Sequence, residues 1–159
     1  MDREEILSFL RGAPDLIAHA CRELTAAQLQ QRPAPDDWSL LELACHLRDS
    51  AIEEGMRARR MVEEDNPTLE PYDEQARALE RNYITEDCSK VMTALRAYFT
   101  GYAYQLERFS DAEWERPGFH PEDGPVSVRI RAELEVKHTE AHVAQMRTTR
   151  EAVSGPAAG

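Results

Sequence analysis

The sequence has few of the features that mark exported or membrane-spanning proteins. No apolar run approaches the roughly 18 residues that a spanning helix needs, and Met1 to Glu5 lack the apolar core of a secretory signal. The three cysteines, Cys21, Cys45 and Cys88, do not have the spacing of a metal-binding motif. We therefore expect a cytoplasmic protein with reduced thiols and no membrane partner.

Positive charge is also scarce. The chain has 19 Lys and Arg against 30 Asp and Glu, which gives a formal net charge of -11. Nucleic-acid affinity comes largely from Lys and Arg that displace counterions, so a nucleic-acid partner is not expected. Only 7 of the 159 residues are glycine, and no Gly-rich phosphate loop occurs. This length and composition predict one domain over residues 1–152 with its own core, followed by a flexible tail at 153–159.

Apolar residues recur at spacings of three and four in four long segments, which predicts four amphipathic helices. The helices are expected at about 3–22, 39–64, 89–109 and 127–152. A break or kink is expected near Pro14, because proline removes a helical hydrogen bond. The connection 68–86 is expected to hold one helical turn and 110–126 to be a loop, without strands. The pattern predicts an all-α four-helix bundle.

Two rows of polar side chains fall on the inner faces of the second and fourth long helices. Burying unsatisfied polar groups costs about 1 to 3 kcal/mol each, so the rows need each other, water or a metal as partners. We interpret them as two walls of one site. The first row comprises Glu42, His46, Asp49, Glu53 and Arg57, and the second comprises Arg131, Glu135, His138, His142 and Gln145.

Three histidines in these rows predict a metal site. His138 and His142 are four residues apart, so their side chains are neighbours on one helix face, and His46 faces inward from another helix. Neutral imidazole binds zinc and related divalent ions. Three protein ligands with one open position are typical of a catalytic or substrate-binding ion, which could activate a water or bind a substrate thiolate, carboxylate or carbonyl.

Two other metal motifs do not fit. The zinc-protease pattern needs a glutamate directly after the first histidine, but Thr139 stands there and Glu140 falls on the solvent face. A carboxylate-bridged di-iron bundle needs paired E-x-x-H elements, and only Glu135 with His138 forms one. A mononuclear site is favoured.

Several residues near the histidines have more than one reading. Asp49 could orient a ligand, accept a proton from metal-bound water, or pair with Arg57 or Arg131. Arg131 could contact an anionic substrate or form a salt bridge to Glu135 or Asp49.

Other polar and aromatic residues are expected to be structural. Ser39 and Glu42 are expected to form a capping box rather than take part in chemistry. Trp114 and His120 could overhang the open position, but we favour Trp114 as a core anchor and His120 as exposed.

The motif Trp-Ser-x-x-Glu-x-x-x-His-x-x-Asp at Trp38 to Asp49, with His138-x-x-x-His142 and Gln145, resembles the DinB-like (DinB/YfiT) superfamily of bacterial metalloproteins. The resemblance implies an up-down-down-up four-helix bundle, a divalent-metal site at His46, His138 and His142, and homodimers. Some members use low-molecular-weight thiols and others are described as hydrolases. Family members often carry an acidic residue where this chain has Thr139, so no role of that acid is transferred.

These observations leave three hypotheses. The leading one is an enzyme in which a zinc-like or nickel-like ion, with a low-molecular-weight thiol as a candidate cofactor, activates a thiol or water for transfer to, or hydrolysis of, a small molecule. The second is a noncatalytic metal-binding or stress-response protein with a vestigial site. The third is a helical dimer without metal, in which carboxylates bind the histidines.

Overall fold

The computed structural model describes residues 1–155 and is dominated by helices. The elements are α1 (Arg3–Cys21), α2 (Ala26–Gln30), α3 (Leu40–Glu63), α4 (Glu74–Glu80), a 3-10 turn (Tyr83–Thr85), α5 (Cys88–Arg108), α6 (Asp111–Trp114), β1 (Pro117–His120), β2 (Gly124–Ser127) and α7 (Val128–Ser154). The four predicted long helices correspond to α1, α3, α5 and α7. No described helix is both long enough and apolar enough to cross a membrane.

The long helices form a four-helix bundle in up-down-down-up order, as predicted. α1 and α3 each pack against both α5 and α7, and touch each other only slightly. Leucine, isoleucine and aromatic side chains fill the space between them and are almost fully buried. Because α3 and α5 are consecutive and run in the same direction, the connection 64–87 must travel back along the bundle. It carries α4.

The local signals at the helix starts are confirmed. Ser39 caps α3 by accepting a hydrogen bond from the N–H of Glu42, whose carboxylate accepts one from the N–H of Ser39. Of the predicted break or kink near Pro14, the break is wrong, because α1 is one helix from Arg3 to Cys21, and the kink stays a prediction. Pro14 and Ala13 are buried, and this packing offsets the missing hydrogen bond.

The loop expected at 110–126 contains a short antiparallel hairpin that the sequence did not predict. β1 pairs with β2, from Pro117 opposite Ser127 to His120 opposite Gly124. Gly124 has a φ of 77°, which glycine adopts without strain. The N–H of Leu69 donates to the carbonyl of Phe119 (2.7 Å), so the hairpin is fixed to the connection after α3.

The C-terminal helix is longer than predicted. α7 continues to Ser154, and Val153, expected in the flexible tail, is 5% exposed. The rest of the expected tail, 156–159, lies outside the described residues.

Candidate metal centre

The structure brings His46, His138 and His142 together between α3 and α7. Their ring centroids are 4.6 to 4.9 Å apart, and Nε2 of His46 lies 2.9 Å from Nε2 of His138. One nitrogen from each ring lies within 4.8 Å of the others. The three imidazoles therefore converge on one point, as the sequence predicted.

Hydrogen bonds at Nδ1 orient two of the rings. Nδ1 of His142 lies 2.9 Å from Oε1 of Gln145. Nδ1 of His138 lies 3.5 Å from Oε2 of Glu135 and 3.4 Å from Oγ of Ser50. A carboxylate or amide oxygen at Nδ1 favours the tautomer that keeps its proton there. Nε2 is then left with a lone pair, as metal ligation requires.

The electrostatic environment keeps two of the imidazoles neutral. Burial, followed by the charges of His138 and His142, lowers the pKa of His46 to about 2. Burial and then His138 lower the pKa of His142. Burial alone would lower the pKa of His138 too, but neighbouring carboxylates, above all that of Glu135, outweigh it and raise that pKa. His138 is therefore the first of the three to gain a proton.

The donor set fits a divalent ion. Ligand nitrogens bonded at about 2.1 Å around a tetrahedral ion are roughly 3.4 Å apart, so small side-chain shifts within the observed 4.8 Å limit suffice. Three imidazole nitrogens suit zinc and nickel better than hard oxygen-seeking cations. The indole of Trp38 packs against two of the histidines, with its ring centroid 5.0 Å from that of His46 and 6.5 Å from that of His142. It shields one side of the cluster.

A polar cavity of about 310 Å³ opens beside the histidines. His138 forms part of its wall, so a molecule in the cavity would reach the point on which the imidazoles converge. The other polar lining residues are Ser50, Glu54, Arg57, Tyr72, Glu74, His120, Glu122, Asp123, Arg131 and Glu135.

Asp49 is buried and engaged away from the histidines. Its carboxylate accepts hydrogen bonds from the Tyr83 hydroxyl (2.6 Å), Arg81 (2.8 Å) and Arg48 (2.8 Å). It pairs with neither Arg57 nor Arg131, the partners considered from the sequence. This arrangement joins α3 to the 3-10 turn.

Arg131 lies in the cavity wall, as its position in the inner row predicted. Its guanidinium binds Glu54, with Nε 3.1 Å from Oε2, and Asp123, with Nη1 2.7 Å from Oδ2. Neither expected partner, Glu135 or Asp49, is involved. The buried Glu54 forms ion pairs with both arginines of the cavity, Arg57 and Arg131.

His120 is not exposed as expected, and is only 5% accessible. The hairpin turns it into the cavity wall. Its Nδ1 lies 3.3 Å from the backbone nitrogen of Glu122 and 3.3 Å from Oδ2 of Asp123. Burial, aided by Arg131 and Arg57, lowers the pKa of His120 and favours its neutral form. Trp114 anchors the segment as expected, fully buried with Nε1 donating to the Leu106 carbonyl.

Sequence reasoning missed several residues of the site, among them Ser50, Glu54 and Glu74. Ser50 and Glu54 follow His46 at intervals of four, which a stricter i, i+4, i+8 reading would have found. The inner row was instead assigned Glu53, which pairs with Arg77 at the rim. Glu74 lies outside the long helices, and no periodicity points to it.

The fold and the site together define a helical-bundle protein with a candidate three-histidine metal centre. The chain belongs to the DinB superfamily, whose family model matches residues 10–146. This confirms the family resemblance seen in the sequence motifs.

Two similar proteins carry names that refer to metal. A "Putative metal-dependent hydrolase" of Bacillus mycoides is 28% identical over 144 residues, covering 89% of this chain and 82% of the relative. YfiT of Bacillus subtilis, which bears the same description, is 23% identical over 145 residues, covering 91% and 82%.

Two solved structures resemble this fold. The structure of Bacillus subtilis YfiT, with an unusual four-helix bundle topology, superposes with a TM-score of 0.87 at 22% identity and covers 94% of this chain and 86% of that one. A mycothiol-dependent maleylpyruvate isomerase superposes with a TM-score of 0.74 at 12% identity, covering 92% and 61%. At these identities the two structures support the fold alone.

Proposed function

We propose that the protein is a metal-dependent enzyme in which Nε2 of His46, His138 and His142 holds a divalent ion, zinc or nickel. The ion would activate a water or a low-molecular-weight thiol for hydrolysis of, or transfer to, a small molecule. The observation that carries the proposal is the convergence of three imidazoles, two of them kept neutral by burial, beside an accessible cavity. The names of the Bacillus relatives support metal dependence.

An ion bound there would act as a Lewis acid and lower the pKa of a water or thiol at its open position. The chain's own residues hold the site in shape. Glu135 and Gln145 fix the orientation of His138 and His142. His120 lines the cavity, where its ring can form a hydrogen bond with a polar atom of the substrate.

The partner is proposed to be a small molecule, because a cavity of about 310 Å³ is at the lower end of ligand-site volumes. The net charge of -11 disfavours nucleic acid as a partner.

A homodimer is proposed from the family resemblance, and sedimentation equilibrium of the untagged protein tests it.

The noncatalytic alternative requires a side chain such as Asp49 or Glu135 to block the fourth coordination position, with no cleft beside it. Asp49 is committed to Tyr83, Arg81 and Arg48. Glu135 approaches His138 from the Nδ1 side, and the cavity lies open next to the cluster. These observations favour the enzyme.

The test is metal analysis of protein purified without an affinity tag and reconstituted with zinc or nickel. We expect about one equivalent per chain, and His142→Ala should weaken binding by more than about 100-fold. His19→Ala, at an exposed histidine of α1, is the control and should bind like the parent. Less than about a tenth of an equivalent in the parent, or unchanged affinity in His142→Ala, would overturn the proposal.

A further inference from the structure

Glu74 places a carboxylate beside the histidine cluster. It is the first residue of α4, and its Oε1 lies 3.7 Å from Nε2 of His46. That nitrogen is also the one that lies 2.9 Å from Nε2 of His138. Glu74 therefore approaches the metal-binding side of the imidazoles, whereas Glu135 approaches the opposite side of His138.

Within the described residues Glu74 has no arginine or lysine partner, unlike two other carboxylates of the cavity. Glu54 binds Arg57 and Arg131, and Asp123 also binds Arg131. Among residues 1–155, the contact with His46 is the single ion-pair or hydrogen-bond contact of the Glu74 side chain. A neutral imidazole offers this carboxylate no countercharge, so a cation between Glu74 and the histidines would supply what the contact with His46 lacks.

The backbone at Glu74 is held in place by the residues that follow it. Nε1 of Trp38, whose ring packs on His46, donates to Oε1 of Gln75 (3.0 Å). Arg77 binds Glu53 (3.1 Å) and lies 3.5 Å above the ring of Tyr72.

The Glu74 side chain itself is 46% exposed and lines the cavity. The ligand nitrogens of the three histidines lie within 4.8 Å of one another, and the Glu74 carboxylate is not part of that group. A change of side-chain rotamer could bring the carboxylate to the histidines or move it away. The anchored backbone and the free side chain together suit a ligand that can be displaced.

We propose that Glu74 supplies a carboxylate oxygen as a displaceable fourth protein ligand to the ion held by the three histidines. It would occupy the open position only until a substrate displaces it, and the cavity beside it stays open, so it differs from the permanent block that the noncatalytic alternative requires. The inference rests on the proposed function. Carboxylate oxygen is an ordinary ligand for zinc, and it would reduce the charge of a site with three neutral ligands from +2 to +1. A neutral molecule that displaces Glu74 would leave the site at +2, whereas an anionic ligand atom would keep it at +1. The site therefore favours substrates that bring an anionic ligand atom, such as a thiolate or carboxylate.

The experiment uses Co²⁺ as a spectroscopic probe in the parent, Glu74→Gln and Glu80→Gln. Glu80 is the last residue of the same helix and is exposed, which makes it a matched control. Glu74→Gln should weaken Co²⁺ binding by roughly 10- to 100-fold against a competing chelator. The substitution should also change the visible absorption of the bound Co²⁺. The variant should bind azide more tightly than the parent, because the Glu74 carboxylate no longer competes with azide for the metal. Glu80→Gln should behave like the parent.

The outcomes separate the two proposals. A parent that takes up no Co²⁺ overturns the metal site and Glu74 with it. A parent that binds one equivalent, together with a Glu74→Gln variant of the same affinity, spectrum and azide binding, overturns the role of Glu74 and leaves the three-histidine site standing. If circular dichroism shows that Glu74→Gln is misfolded, Glu74→Asp decides in the same way, because its shorter carboxylate should also weaken binding.

Discussion

Glu135 is a buried carboxylate without an arginine partner, and its contacts indicate a role in orienting His138. It accepts hydrogen bonds from Ser50 (2.7 Å) and Thr139 (3.3 Å), and lies 3.5 Å from Nδ1 of His138. Thr139, which excluded the zinc-protease motif, is therefore part of the support for this carboxylate.

Replacing Glu135 by glutamine should weaken metal binding without removing a ligand. The amide oxygen can replace Oε2, which faces both Ser50 and His138, or Oε1, which faces Thr139, but the amide carries no negative charge. The basicity that Glu135 gives to His138 is therefore lost. We expect an affinity loss of about 10- to 100-fold, measured by chelator competition. Glu140→Gln, at an exposed site on the same helix, should have no effect. Equal affinity in Glu135→Gln and the parent would rule out the orienting role.

Asp49 offers a test between a structural and a catalytic role. Because its carboxylate holds Tyr83, Arg81 and Arg48 together, Asp49→Asn should lower the free energy of unfolding by about 1 to 3 kcal/mol. Metal stoichiometry should not change. Urea denaturation and metal analysis measure the two effects. Unchanged stability with loss of turnover would instead support the proton-accepting role considered from the sequence.

At this scale the sequence predicted which histidines meet, but not how the charges pair. Helical periodicity fixes the direction of His46 and of His138, since both depend only on the helix that carries them. One partner of each, Arg48 for Asp49 and Glu54 for Arg131, lies on α3. The others, Tyr83, Arg81 and Asp123, come from the connection 64–87 and from the turn of the hairpin. Their positions depend on long-range packing that helical periodicity does not describe.

The contribution of the first turn of α3 to the free energy of unfolding depends on pH, because it contains the carboxylate of Glu42. Burial alone would raise the pKa of Glu42, but hydrogen bonds from Arg32 and Ser39 outweigh it and hold that pKa below its ordinary value of 4.5. A carboxylate with a lowered pKa stabilises the fold above its ordinary pKa, and this contribution is lost as pH falls through the lower folded value.

Arg32→Gln should therefore destabilise the protein in a pH-dependent way. We expect a loss on the order of 1 kcal/mol near neutral pH, kept small because Arg32 is partly exposed. The difference from the parent should shrink as pH falls below 4.5. Urea melts of both proteins at about pH 7 and about pH 3.5 measure it. A difference that grows on acidification would contradict the assigned direction of the pKa shift.

The hairpin and α4 show why short elements were harder to predict than long ones. β1 and β2 have four residues each, and Pro117, Gly118 and Pro125 obscure any alternation. α4 forms near the predicted turn, but its place over the histidines depends on the bond from Trp38 to Gln75. A helix of about twenty residues keeps a recognisable apolar period even if one or two residues break it. In a strand of four residues, a single proline or glycine hides the alternation.

For the whole molecule, the important property is that the candidate ligands come from distant parts of the chain. His46 and His138 are 92 residues apart in sequence, and they meet only when α3 packs against α7. The unfolded chain therefore keeps at most the His138 and His142 pair, which is a much weaker site. A ligand that binds the folded state alone adds its binding free energy to stability.

Zinc or nickel should accordingly raise the melting temperature. At a free metal concentration about 100 times Kd, the gain is about 2.7 kcal/mol. For a domain of this size that gain corresponds to an increase of roughly 5 to 11 °C. Calorimetry of chelator-treated and metal-loaded protein measures it, with His19→Ala expected to shift like the parent and His142→Ala hardly at all. If the treated and loaded proteins melt at the same temperature, the three imidazoles do not share an ion, because no site that joins α3 to α7 could bind tightly and leave the stability of the bundle unchanged.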